Sequence, residues 1–224
     1  MTQVHHPSPP ADRTPDTIGM LIAHRVLTAD LAAVTAAAGA VARAGACEPR
    51  RATAFAAYVA HVIEALHHHH SVEDDVLWPL LERAVGPHLD LTELRDDHAD
   101  LDLDGVLAAA TAFAAAADEL TATALARRLS ALQDALVEHL AEEERMVLPL
   151  VEEHLSVQDW ATVERRAGQS GLPISFELTR AWAVTTHEER VRLLGPVQAR
   201  LMGLLHGLVA RRQRRRAQLA LGAT

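Results

Sequence analysis

The feature that most constrains this chain is that one stretch of it occurs twice. Placing 66-LHHHHSVEDDVLWPLLE-82 over 136-LVEHLAEEERMVLPLVE-152, a shift of 70 residues, sets His69 on His139, Glu73 on Glu143 and Pro79 on Pro149. Leu66, Leu80 and Glu82 also meet identical residues. The shared pattern is H-x-x-x-E-x-x-x-x-x-P, and such a repeat inside a bundle describes two halves related by a pseudo-two-fold axis. Each half has its own upstream histidine: His24 precedes His69 by 45 residues, and His98 precedes His139 by 41. Each half therefore reads as one helix that gives a His, followed by one that gives a His and a Glu.

Alanine and leucine dominate, aromatics make up 3% of the chain, and glycine and proline are few outside the ends and the 168–173 and 195–196 stretches. That balance favours helices and leaves almost no β-structure to expect. Apolar residues fall at helical spacing from Thr17 to Ala44, with Asp16 as the N-cap and Gly45 near the end. Pro49 opens a second helix, whose apolar positions Phe55, Tyr58, Val62, Leu66 and Val76 carry it to about Arg83. Gly86-Pro87-His88 breaks the chain; Thr92 or Asp90 then caps a third helix reaching about Ala117, and a fourth runs from near Thr121 to about His154.

Long helices with short connections make antiparallel neighbours, so the expected fold class is all-α, an up-down-up-down four-helix bundle with additional C-terminal helices. The expected organisation is a disordered leader over 1–14, the bundle over 15–155, and a short helix, linker and helical appendage over 156–224. In the last part Ser156 with Asp159 forms a weak capping box, Thr186 with Glu189 a full one, and Gly195-Pro196 interrupts the helix that follows. Leu194, Val197, Leu201, Leu204 and Leu208 then recur at alternating three- and four-residue steps. Such a seam wants a partner helix, on the bundle's own surface or in a second subunit; the latter makes a homodimer through the C-terminal helix.

The formal charge of −9 argues against a general nucleic-acid binder. Arg211, Arg212, Arg214, Arg215 and Arg216 are a local exception that a solvated, basic helix end explains, with a membrane surface or nucleic acid as the other readings. Cys47 is the only cysteine, which excludes an intrachain disulfide and a thiolate zinc site. The polar, proline-rich start has no apolar signal core, and no later stretch runs 18 apolar residues without a charge. The expectation is a cytoplasmic protein without stable membrane insertion.

Residues four apart on a helix project within about 40° of each other and roughly 6 Å apart along the axis, so His69 and Glu73 can reach one metal together. His139 and Glu143 can do the same from the opposite side. With His24 and His98 they make six candidate ligands: His24, His69, Glu73, His98, His139 and Glu143. Four imidazoles and two carboxylates are too hard for copper(I) and too rich in nitrogen for magnesium or calcium; two iron ions fit best, with manganese or zinc as substitutes. Two metals sharing six ligands keep coordination positions open if the glutamates bridge, so the chemistry is that of an open site, where a small oxygen-containing molecule binds.

Of the 14 histidines most cannot be ligands: His5 and His6 lie in the leader and His88 in a loop. Charged residues crowd both motifs, so a solvated helix face is the bland alternative for them. His24 lies in a stripe of Met20, Leu21, Leu27 and Leu31, where a satisfied core histidine is the alternative. His98 follows Asp96 and Asp97 and rests on its symmetry with His24; the alternative is an exposed histidine. His70 with Asp74 has the same spacing as His69 with Glu73, but only His69 repeats at 139. The four-histidine run also offers an exterior site for stray divalent metal. Tyr58, three turns before His69, either lines the pocket or is a packed aromatic.

The doubled H-x-x-x-E-E/D with a proline six residues past the first acid, each copy after a single upstream histidine, resembles the hemerythrin-like HHE cation-binding domain over roughly residues 15–155. The resemblance implies a non-haem di-iron bundle that binds dioxygen, nitric oxide or peroxide as a carrier, a sensor of oxygen or iron, or a peroxide-decomposing stress-defence protein. The oxygen carriers of that family use a histidine pair four apart on the third helix and an aspartate on the fourth; here Leu94 and Asp102 flank His98, and Glu143 takes the acid's place. A centre richer in carboxylate favours redox turnover, with hydrogen peroxide first, over reversible carriage. A binding or sensing module for oxygen, nitric oxide or iron, without turnover, is the alternative.

Overall fold

In the computed structural model, which describes residues 14–222, the chain is all-helical apart from turns and an isolated bridge between Ala46 and Asp118. The leader expected over 1–14 lies almost wholly outside the described residues. α1 spans Ile18–Ala44, and its buried stripe of Leu27, Leu31, Val34, Ala38 and Val41 packs on α6. Thr17, not Asp16, is its N-cap residue; Asp16 accepts a hydrogen bond from the Ile18 amide at 3.1 Å. Gly45 takes the left-handed conformation, φ 77°, and returns its N–H to Val41 and Ala42.

α2 spans Pro49–Val72, with the Glu48 side chain accepting from the Arg50 and Arg51 amides. It runs into a π-turn at Glu73–Leu77 and continues as α3, Trp78–Val85. The third bundle helix is not continuous to Ala117 as the pattern predicts, but splits into α4, Thr92–Asp100, and α5, Leu103–Ala116. Leu101 turns extended, and Asp102 starts a new helix by accepting from the Gly105 amide while pairing with Arg128. α6 covers Glu119–His154 in one run, Asp118 capping it through the Thr121 amide, and tolerates Pro149 inside.

Beyond the bundle lie α7, Val157–Ala167, α8, Ile174–Val184, and α9, His187–Leu221. The expected caps are present: Ser156 accepts from the Asp159 amide, and Thr186 and Glu189 form a reciprocal box. Gly195, φ 76° and ψ 161°, kinks α9 ahead of Pro196. α8 packs on α1 and α9, and α9 on α2. Ion pairs of Asp30 with Arg180, Arg25 with Glu189 and Asp16 with Arg192 tie this part to α1.

The seam of α9 is not laid on the bundle. Ala199 and Ala210 turn inward, whereas Val197, Leu201, Leu204 and Leu208 are well over half exposed. By length and composition α1 and α9 could each cross a membrane; in α1 the apolar face is the core.

Two apolar clusters fill the bundle. One holds Leu27, Leu31, Phe55, Leu66, Phe113, Leu125 and Leu140; the other holds Met20, Val72, Leu77, Trp78, Leu81, Val147 and Trp160. The gap between them is where the repeated motifs sit. Phe113 is fully buried and meets Phe55 edge to face with ring centroids 6.0 Å apart. Phe113→Ala is expected to destabilise the fold by about 3–5 kcal/mol, read as a lowered denaturation midpoint with an unchanged slope.

Candidate metal centre

On each of three helices a polar position is bracketed by one residue from each apolar cluster: Met20 and Leu27 around His24, Leu66 and Val72 around His69, Leu140 and Val147 around Glu143. Burying apolar neighbours on both sides forces the polar residue between them inward, away from water. The structure brings all six sequence-predicted residues into this layer and adds a seventh, His70. His24, His69, Glu73 and Glu143 form one set and His70, His98 and His139 another; within each set the offered ligand atoms lie within 4.8 Å of one another. Successive helical residues point about 100° apart, so His69 and His70 straddle the layer and serve one set each. His70 stacks on His98 with centroids 4.1 Å apart, and the His98 and His139 Nε2 atoms are 3.1 Å apart.

The two carboxylates reach both sets. Glu73 lies 3.0 Å from His69 Nε2 and 3.6 Å from His98 Nε2; Glu143 lies 3.5 Å from His24 Nε2 and 4.0 Å from His139 Nε2. Both oxygens of each, with Nε2 of His24, His69 and His70, are buried without a hydrogen-bond partner. The 3.0 Å approach of His69 to Glu73 lacks hydrogen-bond alignment. Buried polar atoms are nearly always satisfied; seven that converge unsatisfied, all of them good lone-pair donors, fit a pair of cations.

In three of the five histidines the other ring nitrogen is engaged. Nδ1 of His24 donates to Glu144 at 2.8 Å, Nδ1 of His98 to Asp74 at 3.1 Å and Nδ1 of His139 to Asp97 at 3.3 Å. Each carboxylate fixes the tautomer that turns a bare Nε2 inward and makes it more basic, the outer layer that metal-binding histidines carry. Sequence reasoning missed these three acids, yet two had a signal. Asp74 and Glu144 also align under the 70-residue shift, and each serves the upstream histidine of the other half. His70 had only its four-residue spacing to Asp74, and the repeat argued against it, because Leu140 stands at the repeated position and is packed in the core.

Of the remaining histidines, His67 is exposed and His68 bonds the Ala167 carbonyl at 3.0 Å. Tyr58 packs on Phe176, centroids 5.5 Å apart, and takes no part in the layer.

Burial dominates the electrostatics. It pushes the Glu73 carboxyl up to about 8, and it lifts Glu143 well above the usual carboxylate range, with the Glu73 charge adding to it. Burial, then the charge of His69, holds His24 down to about 4, and burial lowers His69, His70, His98 and His139. Without a cation the layer therefore prefers protonated carboxyls and neutral imidazoles.

The signs give a pH window. Between 4.5 and about 8 the folded, metal-free chain keeps a Glu73 proton that the unfolded chain releases, so this stability fades as pH rises. Between about 4 and 6.5 the unfolded chain instead holds the extra His24 proton, and stability fades as pH falls. Above pH 6.5 only the carboxyl effect remains. Thermal melts of the metal-free protein are expected to drop steadily from pH 6.5 to 8, and metal loading is expected to abolish that drop by holding both carboxylates ionised.

No curated protein and no solved structure matches this chain. The family model of the hemerythrin HHE cation binding domain matches residues 20–151, which span α1 to α6 and contain all seven residues of the layer. With that match over more than half its length, and with a metal-binding layer built from the doubled motif, the chain belongs to the hemerythrin HHE cation-binding family.

Proposed function

We propose that the chain is a non-haem di-iron protein that binds a small oxygen species and decomposes hydrogen peroxide. The observation that carries the reading is the convergence of five imidazoles and two carboxylates, in two sets joined by Glu73 and Glu143, with their inward atoms unsatisfied. In this reading His24 and His69 would hold one iron, His70, His98 and His139 the other, and Glu73 and Glu143, within reach of both sets, would serve the two together. The nitrogen and carboxylate donor set suits iron, with manganese or zinc as substitutes. An iron pair there supplies the two-electron chemistry by which one peroxide is reduced to two waters and a second is oxidised to dioxygen.

The chain's own groups hold the reaction in place. One half-reaction takes up two protons and the other releases two. Glu144, Asp74 and Asp97, each 38–45% exposed and each bonded to a buried imidazole, stand between the layer and the solvent that supplies and takes up those protons. A polar cavity of about 700 Å³ lined by Asp97, Glu138, His139 and Glu142 gives water and peroxide a route to the second set. Trp78, fully buried and stacked on His98, keeps bulk water from the opposite side.

A second reading, a binding or sensing module for oxygen, nitric oxide or iron without turnover, draws support from α7 and α8. They line a cavity that also touches His69 and Glu73, so ligand occupancy has a mechanical path to the C-terminal part. Ligand-dependent protection of 168–196 from protease, with negligible oxygen release, would favour it. For the open seam of α9 we propose a second copy as the partner, since four exposed apolar residues beyond the kink, Val197, Leu201, Leu204 and Leu208, recur at coiled-coil spacing and are self-complementary. Leu204→Glu should then convert a dimer to a monomer in sedimentation.

Protein made in iron-supplemented cells is expected to contain about two irons per chain and to release oxygen from hydrogen peroxide; His69→Ala should lose both while keeping its helical content. Glu144→Ala, which frees the His24 ring, should weaken metal binding by about 10–100-fold, and Glu153→Ala, an exposed control, should leave it unchanged. A folded wild-type chain that takes up no iron would end the proposal.

A further inference from the structure

The layer is approached from two sides of opposite character. Against His139 lies the acidic, polar cavity already described. Against His69 and Glu73 lies a second cavity of about 390 Å³, bounded by α1, α2, α7 and α8. Its walls are apolar side chains such as Met20, Leu27, Val72, Trp160 and Val163, and its charged or polar residues are few: Glu164, Ser170, Glu177 and Arg180 besides His68 and the two candidate ligands. Of the polar groups, Arg180 is spoken for by Asp30, and Glu177 by the Ser170 hydroxyl at 2.6 Å. His68 is tied to the Ala167 carbonyl.

Two facts make this more than a packing gap. First, the volume is of the size that small-molecule sites have, whereas a water molecule's share of liquid is about 30 Å³ and a diatomic gas needs little more. Second, the roof is made by α7 and α8, which lie beyond the family match at residues 20–151. Those helices convert what would be a solvent-facing side of the layer into an apolar chamber with His69 and Glu73 at its floor, their unsatisfied Oε and Nε2 atoms sealed beneath it. A small polar reagent gains nothing from such walls, since it loses its hydrogen bonds to water on entering. A molecule with a hydrocarbon body and a single oxygen-bearing end gains at both ends.

We propose that this cavity is a binding site for organic hydroperoxides and their alcohols, the hydrocarbon part lying against Val72, Trp160 and Val163 and the oxygen end directed to the His69 and Glu73 side of the layer. This rests on the reading of the layer as a peroxide-handling metal centre and names a wider class of ligand for it.

The test uses cumyl alcohol, the unreactive product of cumene hydroperoxide, as the probe. Titrated into the full-length protein, with and without iron, it is expected to bind saturably, quench or shift the fluorescence of Trp160 and raise the melting temperature. Ala181→Phe, which fills the cavity from α8, should weaken binding at least tenfold while hydrogen peroxide decomposition stays unchanged. Ala65→Leu, which fills it from α2, serves the same purpose should the first variant fold poorly. No saturable binding by folded wild type, or binding untouched by both folded variants, overturns the inference. Binding that follows these expectations in a protein that releases no oxygen from hydrogen peroxide would instead overturn the turnover reading and leave the cavity assignment standing.

Discussion

The whole arrangement turns on two carboxyl groups, Glu73 and Glu143, buried at the centre of a helical bundle, grouped with His24 and His69 and each approached by an imidazole of the other set. Two ionised carboxylates there, unpaired, would cost far more than the few kcal/mol by which a domain is stable. A chain that keeps them must either protonate them or supply positive charge. The raised affinity of both groups for protons is the first solution, and a pair of divalent cations is the second. The same burial that lowers the basicity of the imidazoles leaves their lone pairs free for a metal at neutral pH. The two effects point the same way: the layer is poorly matched to water and protons, and well matched to cations.

The rest of the bundle is what makes that layer tolerable. The apolar clusters above and below it supply the burial energy, and their residues recur on the same helix faces as the polar ones. Inserting the layer therefore costs one turn of core on each of α1, α2 and α6 rather than a separate domain. α4 is the exception. Its only buried residue from the core is Leu94, and it is separated from α5 by the extended Leu101. His98 is held mainly by Asp74, the stacked rings of His70 and Trp78, and the facing nitrogen of His139. Segments with few buried apolar contacts open at low free energy, so of the helices around the layer α4 is the one expected to open first.

The bundle and most of the layer were legible in the sequence because helix periodicity and a 70-residue repeat are both one-dimensional signals. His24, His69, Glu73, His98, His139 and Glu143 all stand together, as the repeat demands. What the repeat could not convey was its own violation. His70 faces the second set where Leu140 fills core in the other half, and an argument from symmetry selects against any residue without a partner. The break at Leu101 was hidden because apolar residues continue at helical spacing on both sides of it; only the cap from Asp102 to Gly105 marks it. The acids that orient the histidines act between helices, and spacing within one helix carries no information about contacts to the next. The open face of α9 was readable as a seam, but nothing in a single chain says what covers it.

The violation of symmetry has a chemical consequence. Of the two sets, one has both carboxylates within its own 4.8 Å group and two imidazoles, while the other consists of three imidazoles and reaches the same carboxylates only at 3.6 and 4.0 Å. Two identical cations placed in them would not be equivalent: the first would be more nearly neutralised by its donors, the second would keep more positive charge. The surroundings differ in the same sense. The more carboxylate-rich set abuts apolar walls, where leaving charge uncompensated would be most expensive. The imidazole set abuts a cavity lined by acidic side chains, whose carboxylates can compensate it from outside. A histidine at position 70, where the other half has Leu140, thus does more than add a nitrogen donor. It makes an otherwise two-fold layer unequal, with a carboxylate-rich end against apolar walls and an imidazole end against acidic side chains.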